Sequence, residues 1–200
     1  MSEPFSAFFK LIIEHERLVG WLADRPLPAR KWSDWRGIGG VWYSDDGPRD
    51  ISEWSDAAVA DTVGRADRRL ASFASNREAV EALMIGSGNQ AFLTQVFYHA
   101  ESREFIAGTF AYSENLEDLI VFLAVARSAT AYFGPEAHGV AVIHDFVIRA
   151  EKVCALDLGS GDCSTFLGPE QLAAAIAVFQ PIWDQLQKVP IGRNELDALR

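Results

Sequence analysis

Two cysteines in 200 residues, Cys154 and Cys163, are too few to staple a fold with disulfides or to build a four-thiolate zinc site. We read both as reduced thiols. The four histidines form neither a His-x-His pair nor a helical His-Glu-x-x-His, so no metal motif and no cofactor is read. Basic residues are also scarce. Eighteen Lys and Arg face 28 Asp and Glu, giving a net charge of −10 and a pI near 4.8. A duplex-binding surface needs clustered cations, so generic nucleic-acid binding is excluded.

Long apolar runs are missing as well. The two most apolar windows, residues 116–133 and 172–186, are interrupted by Glu117, Asp118 and Arg127 in one and by Pro181 and Asp184 in the other. No membrane span is expected. The chain opens without a basic-then-apolar leader pattern, and it reads as cytoplasmic. Repeats of about 20–50 residues are absent, which sets aside solenoids and propellers. A Gly-x-Ser-x-Gly elbow is absent too, and Gly37-Ile38-Gly39-Gly40 lacks the Lys-Ser/Thr of a phosphate loop.

What is present is a chain with 49% hydrophobic residues, enough for a sizeable core. Residues 6–24 carry Phe8, Phe9, Leu11, Ile12, Leu18, Val19 and Leu22 on a broad apolar face and read as a helix ended by Pro26 and Pro28. Residues 25–50 are punctuated by Pro and Gly and read as a long loop, with room for one short strand at 40–44 before Asp45-Asp46-Gly47-Pro48. Helices follow at 55–74 and 75–84, the second opened by the capping box Ser75-Asn76-Arg77-Glu78 and closed by Gly86-Ser87-Gly88. Residues 91–99 and 105–112 read as a hairpin. Residues 115–132 fit a buried helix capped by Asn115, or strands, because a continuous apolar run serves either. Strands are expected at 140–149, 152–158 and 163–167, then a helix over 169–187 kinked by Pro181.

This order predicts an α+β fold. An antiparallel sheet of about five strands, drawn from the middle and C-terminal part, packs on one face against N-terminal helices and a C-terminal helix. One domain over residues 1–200 is expected.

Three groups of residues invite a functional reading. The string Ala155-Leu156-Asp157-Leu158-Gly159-Ser160-Gly161-Asp162 resembles the glycine-rich first motif of class I S-adenosylmethionine methyltransferases, where a strand feeds a turn beside the cofactor. The successive βα units of that family have no counterpart here, so we read a hairpin turn and no bound cofactor. His138, His144, Asp145, Asp157 and Asp162 are residue types suited to acid–base or metal chemistry. They define an alternative reading, a small metal-dependent enzyme or hydrolase. The third group is aromatic: five of six tryptophans, at 21, 32, 35, 42 and 54, fall within 34 residues. Trp32, Trp35, Arg36, Trp42 and Tyr43 sit in the loop segment, and these types dominate protein–protein hot spots. They serve equally to tuck a loop onto the core. Asp24, Asp45, Asp46, Asp50, Glu53, Asp56 and Asp61 lie beside them as an acidic rim. The leading reading is a non-enzymatic intracellular binding module of inhibitor, immunity or adaptor type, docking through this loop on a partner with a basic surface. The oligomeric state stays open.

Overall fold

The computed structural model describes residues 4–44, 47–85, 93–146, 152–161, 163–189 and 191–199. Its centre is the strand β1 (Phe5–Ile12), flanked by β5 (Glu104–Ser113) and β6 (His138–His144), both antiparallel to it. The sheet extends through β7 (Lys152–Gly159) and β8 (Cys163–Phe166) on one side. On the other it continues through β4 (Thr94–His99) and β9 (Arg193–Asn194). Seven strands thus follow the order β8-β7-β6-β1-β5-β4-β9, and β9 alongside β4 is parallel. Two further strands, β2 (Val41–Ser44) and β3 (Gly47–Asp50), form a separate antiparallel ribbon.

The α+β class stands, and two parts of the expectation are corrected. The first concerns residues 6–24, which hold the central strand and then a shorter helix, α1 (His15–Ala23). A strand buried on both faces needs apolar residues on both, so its run imitates a helix face. Phe8 and Phe9 are both fully buried yet point to opposite sides of the sheet. The second correction is that helices cover both faces. Ala7, Phe9 and Leu11 face α1, α2 (Asp56–Ser72), α3 (Asn76–Ile85) and α4 (Leu116–Ser128). Phe8, Ile106 and Phe110 face the C-terminal helices α5 (Pro169–Ala177) and α6 (Gln180–Lys188) through Ile176, Phe179 and Leu186. Burying each such side chain stabilises the fold by roughly 2 kcal/mol. Gly108 makes the second face possible, because a Cβ there would lie 2.3 Å from the Phe8 ring and 2.4 Å from the Ala7 carbonyl.

Local signals account for most of the rest. Ser55 caps α2 by accepting from the Ala58 N–H. Ser75 accepts from Glu78 N–H, while Glu78 reaches back to the N–H of Ala74 rather than of Ser75. Residues 115–132 resolve as helix: Asn115 accepts from Glu117 N–H, and the helix is buried on every side. It rests on β1 and β6 and is covered by α2 and α3, which is why its pattern shows no polar face. The β7–β8 connection is an antiparallel hairpin with Gly161 at φ 74°, as the glycines suggested. The C-terminal helical run divides at Phe179, one residue before α6 and two before Pro181. Gly86-Ser87-Gly88 and the Asp45-Asp46 turn lie outside the described residues.

Candidate functional site

The segment after α1 is not structureless. Two 3₁₀ turns, Ala29–Lys31 and Trp35–Ile38, pack against α2, α4 and β7 and lead into the β2–β3 ribbon. Gly39 and Gly40 join turn to ribbon at φ 65° and 80°, a reversal that side-chain-bearing residues resist. A further 3₁₀ turn, Ile51–Glu53, then delivers the chain to α2.

What holds this segment is a charge inside the core. Arg127, near the C-terminal end of α4, is 0% exposed. Its guanidinium donates two hydrogen bonds to the Asp34 carboxylate, at 2.7 and 2.6 Å. It lies 4.8 Å from the Trp35 ring centre, 5.0 Å from Phe166 and 5.4 Å from Trp32. A buried guanidinium demands such a partner, since desolvation costs several kcal/mol per ion. Electron-rich ring faces supply further attraction. The Asp34 side chain is itself 46% exposed, so the ion pair runs from the interior to the surface.

The five aromatic-loop residues therefore divide. Trp35 is buried and donates its indole N–H to the Ala29 carbonyl at 2.9 Å. Trp42 is buried, donates to Gly39 at 2.6 Å and meets the Phe5 ring edge-on. Trp32 is half-buried against Trp35 and Arg127. Arg36 donates to the Ile51 carbonyl at 2.7 Å and to Asp56 at 2.8 Å. Tyr43 alone stands clear, at 85% exposure, and it is joined by Val41 at 65%. The Trp35 and Trp42 rings brace the ribbon from beneath, because an indole offers both a large apolar face and one N–H that a nearby carbonyl can satisfy. Trp21 and Trp54 lie in the same core.

Tyr43 overhangs a groove of about 720 Å³ between the ribbon and α2, lined also by Arg49, Trp54, Asp61, Thr62 and Arg65. The cations around it are largely spoken for. Arg65 pairs with Asp61 and with Glu117 (3.0 Å), and Arg36 with Asp56. Asp50 accepts from the Ser52 N–H at 2.8 Å and from its hydroxyl at 2.6 Å, neutral donors that hold its carboxyl below the usual carboxylate range without cancelling its charge. Glu53 is exposed nearby. A smaller cleft of about 380 Å³ lies between the β4–β5 turn, the start of α1 and the C-terminal segment. There Arg103, at φ 55°, pairs with Glu14, and the Tyr98 hydroxyl donates to Ile13 O. Comparison with protein-family models, with curated proteins and with solved structures finds no match.

The second constellation is not brought together. His138 begins β6 and His144 ends it, which puts them roughly 20 Å apart along the strand. His138 is exposed, with Nδ1 donating to Glu136 O at 3.0 Å. His144 and Asp145 are buried, the imidazole 4.5 Å from the Phe146 ring. Asp157 is exposed and pairs across the sheet with Val140, in the middle of β6. Asp162 lies outside the described residues. Among the described residues no group of three His, Cys, Asp or Glu could hold a metal ion, and no helix is long and apolar enough to cross a membrane.

Sequence reasoning missed Arg127, Asp34 and Val41. For Arg127 there was a signal: a lone arginine inside an otherwise apolar helix must find a buried acceptor. For Val41 there was only strand alternation. Placing the buried Trp42 inward turns both its neighbours outward.

Proposed function

We propose that the chain is a non-enzymatic protein-binding module of inhibitor, immunity or adaptor type. It docks on a partner with a basic surface through the outer face of the β2–β3 ribbon and the carboxylates beside it. The observation that carries this reading is the pairing of Val41 and Tyr43, two large apolar side chains turned to solvent on a ribbon whose underside is locked by Trp35, Trp42 and Ile51. Exposed tyrosine on a rigid support contributes contact area at little entropic cost. The net charge of −10 speeds encounter with a basic surface and makes association sensitive to salt.

The test is affinity capture from native lysate at low and high salt, run in parallel with wild type and a Val41→Ser/Tyr43→Ser variant. A stoichiometric partner held by wild type, weakened by salt and lost by the variant supports the reading. A partner retained equally by the variant, or catalytic turnover that depends on His138 or His144, overturns it.

A further inference from the structure

The β2–β3 ribbon has two backbone edges, and the alternation of its hydrogen bonds decides what each presents. In an antiparallel pair, opposed residues alternate between those that exchange N–H···O bonds and those that do not. Two observations fix the phase here. Ile51 N–H donates to the Gly40 carbonyl at 3.0 Å, so the 40/51 pair is a bonded one. Two residues along, Trp42 and Arg49 are opposed and bonded in turn, and Val41/Asp50 and Tyr43/Pro48 are the unbonded pairs between them. Pro48 has no N–H and fits only an unbonded position, in agreement with that phase.

The amide and carbonyl groups of Val41 and Tyr43 therefore point away from β3, along the outer edge of β2. At 65% and 85% exposure, both residues leave that edge open to solvent among the described residues. The two edges differ in chemistry. On β3 the corresponding positions are Pro48 and Asp50, a missing donor and a carboxylate, which are the features that protect an edge from pairing. Among the described residues, the outward positions of β2, Val41 and Tyr43, carry neither guard. It is also short and braced, since Trp42 anchors it from below and Gly39-Gly40 fix its entry.

We infer that β2 receives an extended, lysine- or arginine-bearing segment of the partner as an added strand, paired to the N–H and C=O groups of Val41 and Tyr43. This rests on the binding-module reading and specifies how the partner is held. Main-chain pairing supplies affinity, and alternate side chains of the added strand lie beside Val41 and Tyr43. The choice of a cationic occupant comes from charge: Asp50 and Glu53 flank the ribbon without an ion pair among the described residues, the nearby Arg36 and Arg65 are engaged by Asp56, Asp61 and Glu117, and the whole chain is strongly acidic. The same balance argues against a second copy of the chain, which would bring two strongly acidic chains together.

The test uses two synthetic peptides as probes, acetyl-Lys-Val-Lys-Val-Lys-Val-Lys-amide and its Glu-for-Lys counterpart. Binding to the full chain is followed by amide NMR shifts and by hydrogen exchange at residues 41 and 43. The expected result is binding of the lysine peptide alone, weakened by salt, with new protection of the Val41 and Tyr43 amides. Tyr43→Pro, which removes an outward donor, weakens binding about tenfold or more beyond Tyr43→Ala, which removes only the ring. Equal affinity for the Pro and Ala variants, or no protection at 41 and 43 in the bound wild type, overturns strand addition while leaving side-chain docking intact. Failure of the lysine peptide to bind, or protection at 41 and 43 that arises from dimerisation, overturns the cationic occupant. The exchange measurement on wild type holds even if the Pro variant disturbs the ribbon.

Discussion

Removing the Asp34 carboxylate tests whether the aromatic segment is held by the charge in the core. In Asp34→Ala the Arg127 guanidinium stays buried with no counter-charge. Breaking a fully buried pair in this way costs about 3–5 kcal/mol. Asp34 is 46% exposed, so water reaches the vacated position and recovers part of that loss, leaving about 2 kcal/mol. Arg127→Met is milder. It frees a half-exposed carboxylate to solvent, fills most of the volume, and gives up the ring contacts to Trp32, Trp35 and Phe166, for about 1 kcal/mol. With the guanidinium gone, Asp34→Ala has nothing left to strand, so the double variant resembles Arg127→Met. The coupling energy is then about 2 kcal/mol. Urea unfolding of the four proteins measures it, and at this chain length Asp34→Ala lowers Tm by roughly 4–8 °C. If Asp34→Ala costs under about 0.5 kcal/mol, or if the two losses simply add, the pair does not hold the segment and the reasoning fails.

The division of the aromatic residues into brace and surface predicts opposite mutational responses. Trp35→Ala costs about 3–5 kcal/mol of unfolding free energy, whereas Tyr43→Ala stays within about 0.5 kcal/mol of wild type; comparable losses at the two positions would show that Tyr43 is not free. The two thiols differ in the same manner. Burial pushes the Cys154 thiol up to about 12, against 9.0 for an ordinary one, and the Arg127 charge offsets only part of this. Cys163 is exposed, so a thiol reagent at pH 8 titrates one cysteine in the native protein and two after unfolding. The sign of the pH dependence follows. The unfolded thiol loses its proton near pH 9 while the folded one keeps it to about 12, so Cys154 leaves stability unchanged below pH 9 and erodes it between those values. A Cys154→Ala variant removes that alkaline slope, and an unchanged slope would refute the assignment.

Much of the fold was legible because it is specified locally. Asn115, Ser55 and Ser75 mark helix starts with a side-chain acceptor for an N–H that the helix leaves unpaired. Gly161 marks a turn through its positive φ, and Pro181 marks a break. β1 was illegible for a physical reason: a central strand is apolar on both faces, and nothing within residues 6–12 separates that from a helix. β9 pairs with β4 through only Gln95 and Val96, a contact made from a distance of almost a hundred residues, so its two residues carry no local signature. The candidate site was legible by region and not by residue. The clustering of tryptophans pointed to the segment, yet composition cannot say which ring faces inward.

By itself the sequence determined the class of fold, the helices that open at Ser55 and Ser75, the β4–β5 and β7–β8 hairpins, the excess of negative charge, and the lack of a metal or phosphate motif. Those are properties of neighbours in the chain or of simple sums. Only the tertiary structure decided that Phe8 and Phe9 serve opposite cores, that Arg127 meets Asp34 across 93 positions, that His138 and His144 stand at opposite ends of one strand, and that Tyr43 and Val41 are left outside. Each depends on which distant surface an element packs against, and burial follows from that choice rather than from the residue alone.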